Sequence, residues 1–248
     1  MRLHRVGVVG LLLTGLAFAQ APPAPKAPAA PAGPIPRLAN GKPDFQGFWN
    51  IPYTPNLATN TPESAIPYTP TGLAAFKTHD SKDDPTSTCQ YPGVPRIMQS
   101  PYPVQFIQTP EYLVMVFEYM SLARAIPIGK EHPAIVDPSF MGNSVAHWEG
   151  DTLVVDTIGL NDGTWLDTAG HQHSDQLHVI ERFTRTPTTI VMNYDIIDPV
   201  MYSKPWNLER PLTPLKIVPG RPELLEYACN ENNKDVQHLI STKPAADK

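Results

Sequence analysis

Proline supplies 30 of the chain's 248 residues, about one in eight where soluble proteins average near one in twenty. Its ring removes a backbone donor and breaks helix interiors, so long helical bundles and coiled coils are excluded. The fold must be rich in turns, irregular segments and sheet edges. Eight of the prolines fall in residues 20–43 and 22 beyond them, so the excess belongs to the folded part as well as to a linker. With 41% hydrophobic residues the chain has enough apolar matter for a true core.

The first nineteen residues have the pattern of a secretory signal. Arg2 and Arg5 precede the apolar stretch Val6–Leu16, and Ala17-Phe18-Ala19 gives the small-x-small pattern before a cut at Gln20. The apolar run is shorter than a membrane-spanning helix, and no integral membrane segment is expected after cleavage. Residues 20–43, rich in Pro and Ala, read as an extended, disordered linker. Residues 44–248 then form one domain. Loss of Arg2 and Arg5 takes the formal net charge from −5 to −7, which argues against nucleic acid as a partner. The expected location is periplasmic or extracellular. There, two cysteines, Cys89 and Cys229, are expected to form a disulfide joining the start of the domain to its last strand.

From Val104 onward, short β-rich runs alternate with turn signals. Val104–Gln108 and Tyr112–Tyr119 flank Thr109-Pro110-Glu111, and Leu122–Ile128 follows. Asn143–Glu149 and Thr152–Ile158 flank Gly150-Asp151, the clearest hairpin signal. Leu177–Arg185 and Thr189–Ile197 flank Thr186-Pro187, and Glu223–Cys229 reads as the closing strand. Helical pattern is confined to Thr71–His79 and a short turn at Asn233–Ile240. The fold class is therefore mainly β, an antiparallel meander closing into a barrel or sandwich. Because Tyr112–Tyr119 is apolar on both faces, the Pro-rich segment 51–103 is expected to cover the second face.

Two resemblances support this reading. Gly47-Phe48-Trp49, ahead of the other strands, resembles the Gly-x-Trp signature of lipocalin and calycin barrels, in which the Trp plugs one end of the barrel. The stretch 143–182, with Asp198-Pro199, Pro205-Trp206 and 225–232, is similar to a large group of exported bacterial proteins, and implies a shared fold without a particular activity.

Four of the eight histidines lie between residues 143 and 182, around a loop at Asn161–Asp175, and loops carry function disproportionately. His171 and His173 sit two apart on an extended segment, about 6–7 Å apart at the backbone. With His178 they are candidate ligands for a divalent metal such as Zn, Fe or Cu. The run His171–Asp175 resembles the opening of the metallo-β-lactamase HxHxDH motif, with Gln176 where that motif has His. In the metal-free alternative, His173, Asp175, His178, Glu181 and Arg182 are the catalytic candidates. Alternation on Leu177–Phe183 puts His178 and Arg182 on one face and Glu181 on the other, so only one set can line a pocket. His147, Trp148, Trp165, Asp167 and Trp206 are the candidate binding residues.

The functional expectation is an exported barrel that binds a small molecule and performs acid–base chemistry as a lyase, isomerase or hydrolase. A non-enzymatic ligand carrier and a metalloenzyme built on His171, His173 and His178 are the alternatives. No G-x-S-x-G, P-loop or G-x-G-x-x-G motif occurs, so serine-hydrolase and nucleotide chemistry have no support.

Overall fold

Alternation in the strands closes the wall. In a computed structural model, which describes residues 33–59, 61–220 and 223–229, nine strands form one antiparallel meander. They are β1 (Gly47–Asn50), β2 (Val104–Gln108), β3 (Tyr112–Phe117), β4 (Ala123–Pro127), β5 (Asn143–Glu149), β6 (Thr152–Ile158), β7 (His178–Arg185), β8 (Ile190–Ile197) and β9 (Trp206–Pro214). Along β8, Ile190, Met192, Tyr194 and Ile196 are fully buried while the residues between them face outward. In β3 the buried set is Leu113, Met115 and Phe117, with Val114 and Val116 half-buried outside. This period of two is what a closed sheet requires when its inner face is the core. Aromatic and aliphatic side chains fill the interior, with Phe106 and Phe183 meeting edge to face at 5.9 Å.

The strand order is β4-β3-β2-β1-β9-β8-β7-β6-β5. Every neighbouring pair is antiparallel, so with nine strands the two edges, β4 and β5, run in the same direction. They meet through a single parallel bridge, Ile128 to Ala146, with the Gly129 amide donating to the Ala146 carbonyl at 2.6 Å. The barrel is nearly closed. A parallel junction needs a long crossover, and residues 128–142 supply it.

Trp49 lies on β1, 3% exposed, its Nε1 donating to the Phe45 carbonyl at 3.0 Å and its ring covered by the Arg185 guanidinium at 4.9 Å. At the β5–β6 turn, Gly150 adopts φ +59°, the left-handed region that favours glycine. Onto this turn dock residues from the Pro-rich N-terminal stretch. Arg37 pairs with Asp151, Lys42 donates to the Gly150 carbonyl, and the Lys42 ammonium lies 5.1 Å from the Trp148 ring.

The closing strand differs from its expectation. Glu223–Cys229 holds no strand, and the sheet ends with β9. Pro211 and Pro214 disguise β9 as irregular chain. Pro211 is tolerated because β1 pairs only with Thr213 and Pro214, leaving residues 206–212 bonded on one side, and Pro214 is the last residue of the strand. The turn expected at Asn233–Ile240 and the segments 1–19 and 20–32 lie outside the described residues.

The hairpin turns 109–111, 150–151 and 186–189 lie at one end of the barrel, from which the crossover 128–142 starts, while the connections 51–103, 118–122, 159–177 and 198–205 gather at the other. Segment 51–103 caps this end, where the outer face of β3 was expected to be its seat. Its Leu57, Ile66, Val94, Ile97 and Met98 join the core, and its backbone bonds to the other end loops, as in Tyr68 with Tyr202 and Ser203 with Pro67. The helix α1 (Pro70–Thr78) begins with Thr69 accepting from the Gly72 amide at 3.0 Å and Pro70 in the first turn, a regular helix start. The Thr69 hydroxyl also donates to the Val200 carbonyl at 2.6 Å, which fixes α1 against the β8–β9 loop. Among the described residues no helix is long and apolar enough to cross a membrane.

Candidate functional site

The loop 159–177 folds back on itself through a bridge between Trp165 and Gln172, with the Leu166 amide donating to the His171 carbonyl at 2.7 Å. This turn brings Asp167 against His171, and both side chains are fully buried. Asp167 Oδ2 accepts from His171 Nδ1 at 2.6 Å and from the Leu57 amide at 2.7 Å, while Oδ1 accepts from the His171 amide at 3.1 Å. The imidazole is enclosed by Phe76 at 4.7 Å, Tyr68 at 6.1 Å and Trp206 at 5.1 Å. Its Nε2 has no hydrogen-bond partner. Nδ1 is thus committed to the carboxylate, and Nε2 is the ring nitrogen without a protein partner.

His173 faces a different set of partners. Its Nδ1 donates to the Ser174 carbonyl at 2.9 Å, so Nε2 accepts from the Thr164 hydroxyl at 2.6 Å. Burial lowers its pKa below the ordinary histidine value. The next turn is held by Asp198, which accepts from the Ser174 amide and hydroxyl and from the amides of Val200 and Met201. Gly93 packs against this point in the left-handed region, φ +74°, and a Cβ there would meet Thr164 Oγ1 at 2.7 Å.

The remaining sequence candidates disperse. His178 and Arg182 point out of the barrel, toward Asp156 at 2.8 Å and Asp195 at 2.7 Å. Asp156 Oδ1 is shared with His132 Nε2 at 3.2 Å. Asp175 is exposed. Glu181 points inward, fully buried, and receives both terminal nitrogens of Arg124 at 3.2 and 2.7 Å. Arg124 also donates to Ser144 and Thr157, so both terminal guanidinium nitrogens are engaged inside the barrel, while Arg124 Nε has no hydrogen-bond partner. His147 and Trp148 lie at the far end, His147 on Glu149 and Trp148 stacked on Phe45. Trp165 and Trp206 are buried at the loop end, Trp165 against the edge of His79 and Trp206 against His171. His171, His173 and His178 thus turn to separate partners. Among the described residues no three His, Cys, Asp or Glu side chains are placed to hold a metal ion.

What the structure adds is a cleft beside Asp167, about 250 Å³ in volume, lined by Thr86, Arg96, Gln99, Tyr102, Tyr119, Thr168 and Tyr227 among others. Tyr102 and Tyr119 stack at 5.2 Å, and Tyr227 meets both edge-on at 5.1 and 5.0 Å. Burial pushes the Tyr227 phenol up to about 12 and raises that of Tyr119. Arg96 is engaged bidentately by Asp84 at 2.8 and 2.6 Å. Tyr227 reaches the cleft because Cys229 is bonded to Cys89, with Cα atoms 5.7 Å apart. The cysteine pairing was readable from sequence, and it was the one signal that could have placed Tyr227 over segment 51–103. Gln99 and Arg96 lie in a 3₁₀ turn, Arg96–Gln99, with no sequence motif. The chain matches no family model, no curated protein and no solved structure, so the reading of the site rests on its own geometry.

Proposed function

We propose that this chain is an exported β-barrel that binds a small organic molecule at its loop-bearing end. The observation that carries the reading is the cleft itself. Three tyrosine rings, a buried amide and the edge of Asp167 converge on one space, whereas the barrel interior is filled by its own side chains. Aromatic walls with a few fixed polar groups are the usual make-up of a ligand site. The Cys89–Cys229 disulfide supports an oxidising compartment. The test is ligand-observed NMR of the disulfide-bonded protein against single-ring compounds, repeated on Thr168→Trp, which fills the cleft from its exposed rim. Binding that disappears in the variant supports the reading; binding that is indifferent to it places the site elsewhere.

Acid–base catalysis is the second reading, favoured by the Asp167–His171 pair with its unpartnered Nε2. An aspartate that orients imidazole through Nδ1 leaves the other nitrogen ready to take a proton. The enclosing rings of Phe76, Tyr68 and Trp206 must move for a substrate to reach it. Recovery of a bound compound unchanged after long incubation supports a carrier; conversion that ceases in His171→Gln supports the enzyme.

A further inference from the structure

Gln99 is 2% exposed, lines the cleft, and neither Nε2 nor Oε1 of its amide has a hydrogen-bond partner. A buried carboxamide with both ends unmet is costly, and the main chain that carries it is anchored, with the Gln99 carbonyl accepting from the Thr54 amide at 3.1 Å. The Tyr194 phenol lies beside the amide without a well-formed bond to it. We propose that Gln99 selects the ligand, pairing edge to edge with a neutral, planar molecule that carries a donor and an acceptor side by side: a carboxamide, lactam or imide. The proposal rests on the cleft being the binding site.

The electrostatics of the cleft narrow the class. Among the described residues lining it, Arg96 is the only cation and Asp167 the only carboxylate. Arg96 is matched to Asp84 through both terminal nitrogens. Asp167 is taken up by the Leu57 amide and by the amide and Nδ1 of His171. Neither charge is left for a ligand ion, and an anion would lie beside the Asp167 carboxylate with no free cation to answer it. A neutral ligand meets no such penalty. Size and shape follow from the walls. About 250 Å³ is roughly eight waters' share of liquid volume, enough for one ring and a short polar group. The stacked pair Tyr102–Tyr119 and the edge of Tyr227 present flat surfaces to it. The primary amide of Gln99 offers one donor and one acceptor in one plane, which a second amide answers with two parallel hydrogen bonds.

Benzamide, benzoate and 2-piperidone are the probes, titrated by NMR into wild type, Gln99→Leu, Gln99→Met and Thr168→Trp, with melting temperatures recorded for each. Benzamide and 2-piperidone are expected to bind wild type, benzoate about tenfold or more weakly. Gln99→Leu and Gln99→Met are expected to fold with unchanged or higher melting temperature and to lose about tenfold or more in benzamide affinity. If other single-ring compounds bind in a Thr168→Trp-sensitive way but the two amides do not, or if the Gln99 variants bind benzamide as wild type does, the assignment to Gln99 is overturned while the cleft stands. If no compound binds at Thr168→Trp-sensitive affinity, the cleft reading itself falls.

Discussion

The inward carboxylate of Glu181 is the sharpest point at which sequence pattern and structure assign different roles. Glu181 is fully buried and Arg124 is 5% exposed. Arg124→Met removes the bidentate partner at 2.7 and 3.2 Å and leaves a carboxylate inside the barrel without a countercharge. Ser144 and Thr157, which also lose Arg124, retain each other at 2.9 Å, so the cost falls almost wholly on Glu181. Breaking one side of a buried pair costs about 3–5 kcal/mol, which for a domain of this size lowers the melting temperature by on the order of 10 °C. Replacing both, Arg124→Met with Glu181→Leu, removes the ions together and should restore stability to within about 1–2 kcal/mol of wild type. With a similar cost for Glu181→Leu alone, the coupling between the two sites is then roughly 4 kcal/mol or more. Urea unfolding of the disulfide-bonded protein, followed by tryptophan fluorescence and circular dichroism across the four-member cycle, measures it. Additive single-site losses would show that the two ions are not an energetic unit. A Glu181→Gln protein as stable as wild type that stopped converting a bound ligand would refute the structural role outright and return Glu181 to the chemistry.

Three other outcomes follow from features at the loop end. Because burial depresses the folded pKa of His173, the unfolded chain takes up a proton that the folded one refuses; its contribution to stability is complete above the ordinary histidine value near ~6.5 and is lost as the pH falls from there through the folded pKa. Stability measured between pH 8 and 5 should therefore fall more steeply in wild type than in His173→Gln, and parallel curves would dismiss the argument. Gly72→Ala adds a methyl group in contact with the Met201 carbonyl oxygen and 2.9 Å from its carbon; despite the better helix propensity of alanine, it should destabilise by about 1–3 kcal/mol, and a gain in stability would show that α1 is not seated on the β8–β9 loop. Cys89→Ser with Cys229→Ser opens a link across 140 positions, worth up to about 5 kcal/mol by loop entropy, and should weaken any cleft ligand by releasing Tyr227; unaltered affinity would remove Tyr227 from the site.

The strands were legible where alternation and turn chemistry agree. β2, β5 and β6 fall at their expected bounds, and the Gly150-Asp151 turn joins the last two. β9 was hidden by Pro211 and Pro214, and the tolerance of Pro211 depends on the shortness of β1, a tertiary fact. For the site, the stretch expected to be a loop, residues 161–175, holds no strand or helix, and within it Asp167 pairs with His171 and Thr164 with His173. Asp167 and His171 take further contacts from Leu57, Phe76 and Trp206, far away in the chain, while His173 turns to Thr164 and Ser174, so sequence spacing could not distinguish a metal triad from separate hydrogen-bonded pairs. Gln99 carried no signal because its meaning lies in partners that it lacks.

The shared direction of β4 and β5 has a consequence for the protein in a crowded solution. Two strand margins joined by one bridge leave backbone donors and acceptors that a neighbouring chain could adopt, and such margins are where sheets recruit one another. The crossover 128–142 runs along this margin with Lys130, Glu131, Pro133, Asp137 and Pro138, and Pro127 ends β4 without a donor. Charge and proline are the residue types that blunt an edge against strand addition. A crossover of this composition is expected to act as a guard rail as well as a connector, disfavouring strand addition at the margin of an odd-numbered wall.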